Sequence, residues 1–420
     1  MASITEIGEA MHRVLTISMT IAKSAYVSHN GGHLHLLGRC PMDQDALTLM
    51  RCLAAIPDPR QPRGVRHPFV GMLTLAIIGL MSRQVDLQAI RDHSAEHWST
   101  LGPELGFSPW FGVPHQTTLG RLLGRVPLES LQAAFGRWLA QLVSDLPLIA
   151  AVDGKYPHQS RDAQGSRFGI LTVFAHDLKI CLAQWVVSDH EAEPGVLKAH
   201  LEELFARYPK LRVLTGDAIF AQRGLCEMLV ALKRGYMLRI KGNQPNVSAA
   251  LVEGFVEAPQ RKPDAQSIEK ARGAVETRRL WLDTELAAYV AKELNFAGAQ
   301  QVARLDKTIK DLTTGEIKAE TWYLVSYDPA GTLTARQFLG RARGHWGIEN
   351  SLHHVKDRSW HEDKHTLRQR GLGPCFSVLV NIALTLLRKP GSFDPRLSMP
   401  RRAKRYEANP ARALAVLRST

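Results

Sequence analysis

The sequence predicts an α/β core that carries a β-rich insertion and follows an all-helical N-terminal region. From about residue 148, short apolar runs alternate with helical segments, which is the element order of α/β folds. Residues 69–147 contain four segments with helical spacing, separated by prolines that break helices. Residues 250–330 interrupt the alternation with strand-like runs joined by polar connections. With 420 residues and an apolar fraction of 45%, the chain can form two or three domains with a substantial core.

The N-terminal part divides into an extension and a helical domain. Residues 1–41 are small and polar, with one possible helix at Ile4–Ala22, and Met42 is an equally acceptable start of the protein. Residues 42–147 are expected to form the helical domain. Its predicted helices are Asp45–Ile56, Phe69–Ser82, Leu87–Ser94, Thr117–Leu123 and Leu128–Val143.

An arginine-containing arm joins the first two predicted helices. Residues 56–68 hold four prolines, which remove backbone donors and favour extended structure. Arg60, Arg63 and Arg66 recur at every third position of this arm. One interpretation is a basic arm that follows a phosphate backbone, and the other is an ordinary surface connector. The residues alone favour neither.

Two strands of the predicted core end in an aspartate. Leu148–Val152 is an apolar run that leads into Asp153, and the run that begins at Leu211 ends in Asp217. The other predicted elements of the core are strands Phe168–Ala175, Ile180–Val187 and Tyr236–Ile240 and helices Pro194–Arg207 and Gln222–Lys233. The insertion adds strands at Thr277–Leu282, Gln301–Asp306 and Thr321–Tyr327.

A third acid lies on a long segment without proline, Thr334–Asp357, which we predict to be helical. Several of its residues fall three or four apart and would share one face of that helix. They are Leu339, Ala342, Trp346, Glu349 and His353. A carboxylate on a face that packs against the protein needs a partner, and Asp153 and Asp217 are the two candidates.

The three acids together are a candidate metal site. The carboxyl ends of neighbouring strands converge on one crevice, so Asp153 and Asp217 can meet there, and a helix across that edge can add Glu349. Hard divalent cations such as Mg²⁺ prefer oxygen ligands and support phosphoryl transfer, often as a pair of ions. The alternative is that both aspartates are simple turn residues at strand ends.

The charge of the chain points to a polyanionic partner. The net charge is +13 and the pI is about 9.7, which favours nucleic acid ahead of a membrane surface. From Arg388 to Thr420 there are nine Lys and Arg residues against two acids. A basic tail such as residues 389–420 is usually disordered and solvated, although it can also hold nucleic acid nonspecifically.

Cysteine use and hydropathy indicate a cytoplasmic protein. The five cysteines are scattered without a close pair, which predicts reduced and mostly buried thiols. The charge-free run from Phe69 to Met81 is too short to span a bilayer and fits a buried helix better. The N-terminus lacks the pattern of a signal peptide.

Four motifs follow one another along the predicted core. They are Asp153-Gly154-Lys155, Thr215-Gly216-Asp217-Ala218 with Gln222, Lys241-Gly242-Asn243-Gln244-Pro245 and Arg343-Gly344-His345-Trp346-Gly347-Ile348-Glu349-Asn350. In this order they resemble the DDE transposases of bacterial insertion sequences, in the branch that includes the H-repeat-associated proteins. The arm at residues 56–68 resembles the N-terminal associated domain of that branch. The resemblance extends from about residue 46 to 388.

The resemblance implies a ribonuclease-H-like catalytic domain at residues 148–388, with the insertion between the second aspartate and the glutamate. Asp153, Asp217 and Glu349 would be the catalytic metal ligands for Mg²⁺ or Mn²⁺, with two ions expected. Lys356 matches the lysine of the Tyr-Arg-Glu-Lys signature, where it would hold a DNA phosphate. The full set of implied DNA-binding residues is Lys155, Lys241, Asn243, Arg343, His345, Lys356, Arg60, Arg63 and Arg66.

Several motif residues have a simpler interpretation as well. Lys241 and Asn243 can form a hydrogen-bonded turn, and His353 is more typical of a helix surface or a phosphate contact than of a metal ligand. In the signature, His345 stands at the arginine position and Ala342 at the tyrosine position. His361–His365 fits a zinc-protease pattern, but its polar, loop-like context argues against the helix that this pattern requires.

The sequence therefore predicts a transposase that cuts DNA at the ends of its element and joins them to a target. The expected partners are double-stranded DNA, as terminal inverted repeats and target, and a second copy of the chain when two ends are paired. We expect a location in the cytoplasm, at the nucleoid. The alternatives are a decayed relative that still binds DNA and a metal nuclease that cuts without strand transfer.

Overall fold

The computed structural model describes residues 47–157, 164, 166–188, 190–271, 273–364, 371–389 and 396–419. The N-terminal extension, with the predicted helix Ile4–Ala22 and the alternative start Met42, lies outside these residues. Among the described helices, none has the length and apolar character needed to cross a membrane.

A nine-stranded sheet forms the centre of the described part of the chain. Its strands are β1 (Leu148–Lys155), β2 (Phe168–Ala175), β3 (Cys181–Ser188), β4 (Leu211–Gly216), β5 (Gly235–Ile240), β6 (Ala265–Ala271), β7 (Ala274–Asp283), β8 (Gln301–Asp311) and β9 (Ile317–Tyr327). They lie in the order β3-β2-β1-β4-β5-β9-β8-β7-β6. The eight predicted strands are present. β6 was missed because its sequence is mostly polar and lacks a clear alternation.

The strand directions bring the two acidic strand ends to one edge of the sheet. β1 is antiparallel to β2 and parallel to β4, and β4 is parallel to β5. Val152 of β1 pairs with Gly216 of β4, so the residues that follow them, Asp153 and Asp217, are neighbours across the two strands. β9 pairs with β5 in the antiparallel direction, so the insertion extends the core sheet and does not form a separate layer.

Helices form the N-terminal region and cover the sheet. They are α1 (Leu49–Ala54), α2 (Phe69–Met81), α3 (Leu87–Glu96), α4 (Trp98–Glu104), α5 (Gln116–Leu123), α6 (Leu128–Leu142), α7 (Glu193–Arg207), α8 (Arg223–Ala231), α9 (Pro245–Gly254), α10 (Glu285–Lys292), α11 (Ala335–His345), α12 (His354–Ser359), α13 (Leu372–Leu386), α14 (Met399–Glu407) and α15 (Pro410–Arg418). α2 is buried on nearly all sides, as predicted, and packs against the fully buried α13. This contact joins the N-terminal helices to the core. α4 was missed because it contains Pro103.

The thiols of the described cysteines are free and buried, as the scattered positions predicted. They belong to Cys52, Cys181, Cys226 and Cys375, whereas Cys40 lies outside the described residues. Burial raises the pKa of Cys181 and of Cys375 to about 12, so both thiols stay protonated and unreactive at neutral pH.

The basic C-terminal segment is folded, so the prediction of a solvated tail was wrong for its described residues. α14 and α15 bury the apolar side chains on one face and pack against α1, α2 and α4. Arg418 donates to a carboxylate oxygen of Glu104 at 2.6 Å, which adds a polar contact at the edge. The charged residues of these helices project from the opposite face. The prediction considered only the net charge of the segment and not the spacing of its apolar residues, which is amphipathic.

Leu417→Ala is expected to destabilise the protein by about 2–3 kcal/mol, near the lower end of the range for buried Leu→Ala substitutions because a terminal helix can relax around the cavity. Leu417 is fully buried, whereas Arg412 on the same helix is exposed. Urea unfolding of Leu417→Ala beside Arg412→Ala measures the difference. Equal midpoints for the two variants would show that the segment is not packed on the fold.

Candidate active site at the carboxyl ends of β1 and β4

The helix that carries the third acid is interrupted at that acid. α11 begins with a capping box in which the side chains of Thr334 and Gln337 cap the first turn, and it packs against β1 and β4. It ends at His345, and Glu349–His353 forms a π-helical turn before α12. The prediction of one regular helix was therefore wrong in this segment. Single π-turns are rare and often occur at functional sites.

The structure brings two of the three predicted acids into one tight group and places the third beside it. Ligand atoms of Asp153, Glu349 and His353 all lie within 4.8 Å of one another. Asp217 lies at the neighbouring strand end, where its Oδ1 is 3.9 Å from Nη1 of Arg239 and its side chain is half exposed. His353 is buried beside Asp153, so its predicted place on the helix surface was wrong.

The electrostatics of the site fit a divalent cation. The pKa of Asp153 is raised to about 7, first by burial and then by the carboxylates of Glu193, Glu349 and Asp217, while the Gly154 N–H that donates to Asp153 Oδ1 opposes the shift. Burial lowers the pKa of His353 to about 3, so its ring is neutral at pH 7. Several carboxylates thus lie close together, and Arg239, the cation in contact with Asp217, is shared with Glu320 at 2.8 Å. A bound cation would relieve this repulsion.

The contribution of Asp153 to the stability of chelator-treated protein is expected to fall as the pH rises from about 4 to about 7. Buried His345 and His353, whose pKa values are lowered to about 4 and about 3, add stability over the same range, so the Asp153 contribution must be measured as a difference. The folded pKa of Asp153, about 7, is above the ordinary value of 3.8, so the folded state holds a proton that the unfolded state releases. The resulting stabilisation is complete at low pH and is lost as the pH rises through the folded pKa. Thermal unfolding of wild type beside Asp153→Asn across this range measures the difference in stability, from which the histidine contributions cancel, and wild type should lose stability relative to the variant as the pH rises. A difference that does not change with pH would contradict the assignment.

One further acid of the site, Glu193, was not predicted from the sequence. It begins α7, is buried, and lies against Gly154: a Cβ placed on that glycine would be 2.4 Å from Glu193 Cδ. Burial raises the pKa of Glu193, a hydrogen bond from Tyr156 opposes this, and Asp217 raises it further. The glycine of the Asp-Gly-Lys motif therefore makes room for a carboxylate. No sequence pattern around Glu193 distinguishes it as a site residue, because acids are common in the first turn of a helix.

The predicted DNA contact of Lys155 is contradicted by its ion pairs. Its Nζ lies 2.7 Å from Asp357 Oδ1 and 3.5 Å from Asp363 Oδ1, and the side chain is only 11% exposed. These pairs tie the end of β1 to α12 and to the turn that follows it. Lys155 therefore holds the elements of the site together and is not free to bind a phosphate.

Lys356 is also unavailable to DNA, which corrects its predicted role as a phosphate contact. It is 1% exposed, and its Nζ lies 2.8 Å from Glu362 Oε1 and 3.1 Å from Ser377 Oγ. Ser377 in turn donates to Glu362 at 2.6 Å. Glu362 is thus held inside the protein and cannot serve as the base of a zinc protease. His365, the last residue of that pattern, lies outside the described residues.

His345 faces inward, where its ring contacts a hydroxyl group. Thr215 Oγ1 lies 3.1 Å from His345 Nδ1 and 3.0 Å from His176 Nε2. Burial lowers the pKa of His345 to about 4, so it does not supply the positive charge of an arginine at this position. Arg343, the other predicted DNA contact of this motif, is paired with Glu269 on β6. Both residues therefore make contacts within the protein.

The remaining predicted DNA contacts divide into engaged and exposed side chains. Arg60 is paired with Asp58 at 2.7 Å and donates to the carbonyl of His67, so it stabilises the arm itself. Asn243 donates to the carbonyls of Ala218 and Ala221, which matches the simpler alternative of a hydrogen-bonded turn. Arg63, Arg66 and Lys241 are exposed, and the Arg66 guanidinium also lies 5.7 Å from the centre of the Phe111 ring.

Comparison with protein families assigns two adjacent parts of the chain. Residues 50–139 match the family described as DDE_Tnp_1-associated, and residues 146–386 match the family described as transposase DDE domain. The second match covers more than half of the 420 residues and includes Asp153, Asp217 and Glu349.

Individual relatives and one solved structure are similar at low identity. "Putative transposase YncI" of Escherichia coli O157:H7 is 26% identical over 351 residues, which cover 81% of this chain and 87% of that protein. "H repeat-associated putative transposase YhhI" of Escherichia coli K12 is 24% identical over 370 residues, covering 86% and 96%. The cryo-EM structure of the piggyBac transposase synaptic complex with hairpin DNA matches with a TM-score of 0.38 and 9% identity, covering 86% of this chain and 75% of that one. The family matches decide the assignment: the chain belongs to the transposase DDE domain family.

Proposed function

We propose that this protein is a DDE transposase that cuts DNA at the ends of an insertion sequence and transfers the strands to a target by metal-ion phosphoryl transfer. The observation that carries the proposal is the proximity of three acids from three separate elements: Asp153 and Glu349 share one group, and Asp217, at the neighbouring strand end, is close enough to raise the pKa of Asp153. The order β3-β2-β1-β4-β5, with β2 antiparallel to its neighbours, supports a ribonuclease-H-like core.

The residues of the site have distinct parts in this reaction. Asp153 and Glu349 would hold a divalent cation, Mg²⁺ or Mn²⁺, and Asp217 would hold a second one at the neighbouring strand end. Bound there, the cations would polarise the phosphate and activate the attacking oxygen. Asp153 must be ionised to act. Arg239, 3.9 Å from Asp217, is itself held by Glu320 at 2.8 Å and by the Trp322 ring, so its part is to keep a positive charge fixed beside the acids. Lys155 fixes β1 against α12, so the acids keep their spacing.

DNA would be held by the N-terminal helices, the arm and the turn after β5. Arg63 and Arg66 project from the arm, and Lys241 projects from the turn. Contacts of this kind position a duplex without reading its sequence. Pairing two ends of an element would require at least two copies of the chain.

Replacing Arg63 and Arg66 together by alanine is expected to weaken DNA binding and to lower the slope of log K against log salt by about 2, because two phosphate contacts would be lost. Arg60→Ala should leave the slope nearly unchanged, since Arg60 is engaged with Asp58. Fluorescence anisotropy at several salt concentrations measures both. If Arg60→Ala changes the slope as much as the double variant, the division into engaged and exposed arginines is wrong.

A strand-transfer assay on element-end DNA with Mg²⁺ or Mn²⁺ tests the function. The proposal requires both cleaved ends and joined products. A decayed relative would bind the DNA without cutting it, and a metal nuclease would cut without joining. Either result would replace the proposal by that alternative.

A further inference from the structure

His353 lies against the acids of the site, although the four transposase motifs do not include it. It lies one π-turn after Glu349 and is 8% exposed. Its Nδ1 is 3.4 Å from Oδ2 of Asp153, and one of its ring nitrogens lies within 4.8 Å of ligand atoms of both Asp153 and Glu349.

The second ring nitrogen of His353, the buried Nε2, lacks a hydrogen-bond partner in the described part of the chain. Buried polar atoms are nearly always hydrogen-bonded, so a ring kept with one nitrogen unsatisfied is costly to the fold. A function of Nδ1, the nitrogen beside Asp153, would account for keeping a histidine here despite the unsatisfied Nε2.

The spacing of the three side chains suits one shared ion. Bonds of about 2.1 Å place two donor atoms about 3.0 Å apart in adjacent positions and about 4.2 Å apart in opposite positions. His353 Nδ1 and Asp153 Oδ2 are 3.4 Å apart, close to the spacing of about 3.0 Å between adjacent ligands. The ligand atoms of all three residues lie within 4.8 Å of one another, so small side-chain movements would bring them to bonding distance of one ion. Asp217 lies outside this group, beside Arg239.

We propose that His353 is a direct ligand of the divalent cation, through Nδ1, together with Asp153 and Glu349. This rests on the proposed metal-dependent function and adds a nitrogen donor to its site. Imidazole favours transition metals over Mg²⁺, whereas a site made only of carboxylates suits both Mg²⁺ and Mn²⁺. The mixed set makes Mn²⁺ the better-bound ion. His353 is thus the residue that sets the metal preference.

Electron spin echo envelope modulation of the full-length protein loaded with Mn²⁺ tests this directly, because a coordinated imidazole gives a ¹⁴N signal. Wild type and the neighbouring control His354→Ala should show the signal, and His353→Ala should lack it. Calorimetric titration with Mn²⁺ and Mg²⁺ separately should show that His353→Asp lowers the ratio of the two affinities by about tenfold. Melting of the metal-free variants confirms that each is folded.

Asp153→Asn separates this inference from the function on which it rests. If Mn²⁺ binding depends on Asp153 but wild type gives no ¹⁴N signal, His353 only hydrogen-bonds Asp153 and the inference is overturned while the metal site stands. A ¹⁴N signal that persists in His353→Ala overturns it equally. If Asp153→Asn binds Mn²⁺ as tightly as wild type, the metal site itself is wrong, and the proposed function fails with it.

Discussion

Asp153→Asn and Glu349→Gln are each expected to lower DNA cleavage and strand transfer about a thousandfold. Each amide keeps the shape of its side chain but removes one negative charge from the group that would hold the cation. Metal stabilisation of the reacting phosphate is worth several kcal/mol, and about 4 kcal/mol corresponds to three orders of magnitude in rate. The expected loss is therefore in turnover, with little change in affinity for DNA.

Single-turnover cleavage of labelled element-end DNA measures the effect, with anisotropy on the same DNA as the binding readout. Glu257→Gln is a matched control, since Glu257 is an exposed carboxylate that does not belong to the Asp153, Glu349 and His353 group. Neither active-site amide should destabilise the metal-free protein, because each relieves repulsion around Asp153. Cleavage at the wild-type rate by either variant would refute the assignment of that acid.

Lys356→Ala is expected to destabilise the protein by about 3 kcal/mol, near the lower end of the range for breaking a buried ion pair, because Glu362 loses its partner at 2.8 Å and keeps Lys155, 4.0 Å away. Lys356 and Glu362 are 1% and 4% exposed, and both contact Ser377. This loss would act on every activity of the protein through the folded fraction. A phosphate contact would instead lower DNA affinity and leave stability intact.

Urea unfolding of Lys356→Ala beside Lys364→Ala distinguishes the two roles, since Lys364 is an exposed lysine eight residues further on. The double variant Lys356→Met with Glu362→Gln removes both charges and should recover part of the lost stability. If Lys356→Ala has the same unfolding midpoint as Lys364→Ala but binds DNA more weakly, Lys356 contacts DNA and the buried ion pair is not its main role.

The sequence by itself determined the elements and the strand-end acids. Regular apolar runs are local properties, so β1 and β4 could be located, and parallel pairing places Asp153 and Asp217 at one edge. Proline breaks located the N-terminal helices for the same reason. Glu349 could be recognised as the third acid from the family resemblance, whereas its expected place on an inward face was wrong, because its side chain is exposed.

Only the tertiary structure decided which charged side chains are free and which are engaged. Lys155 and Lys356 look like phosphate contacts in sequence, yet their partners lie in segments whose proximity no local pattern records. His353 and Glu193 join the site for the same reason. A π-turn inserts into a helix that the periodicity predicts as regular, and a buried acid meets Gly154 across the fold. Ion pairing and burial depend on contacts between segments that are distant in sequence. The sequence therefore identified the acids, and only the folded structure showed which side chains surround them.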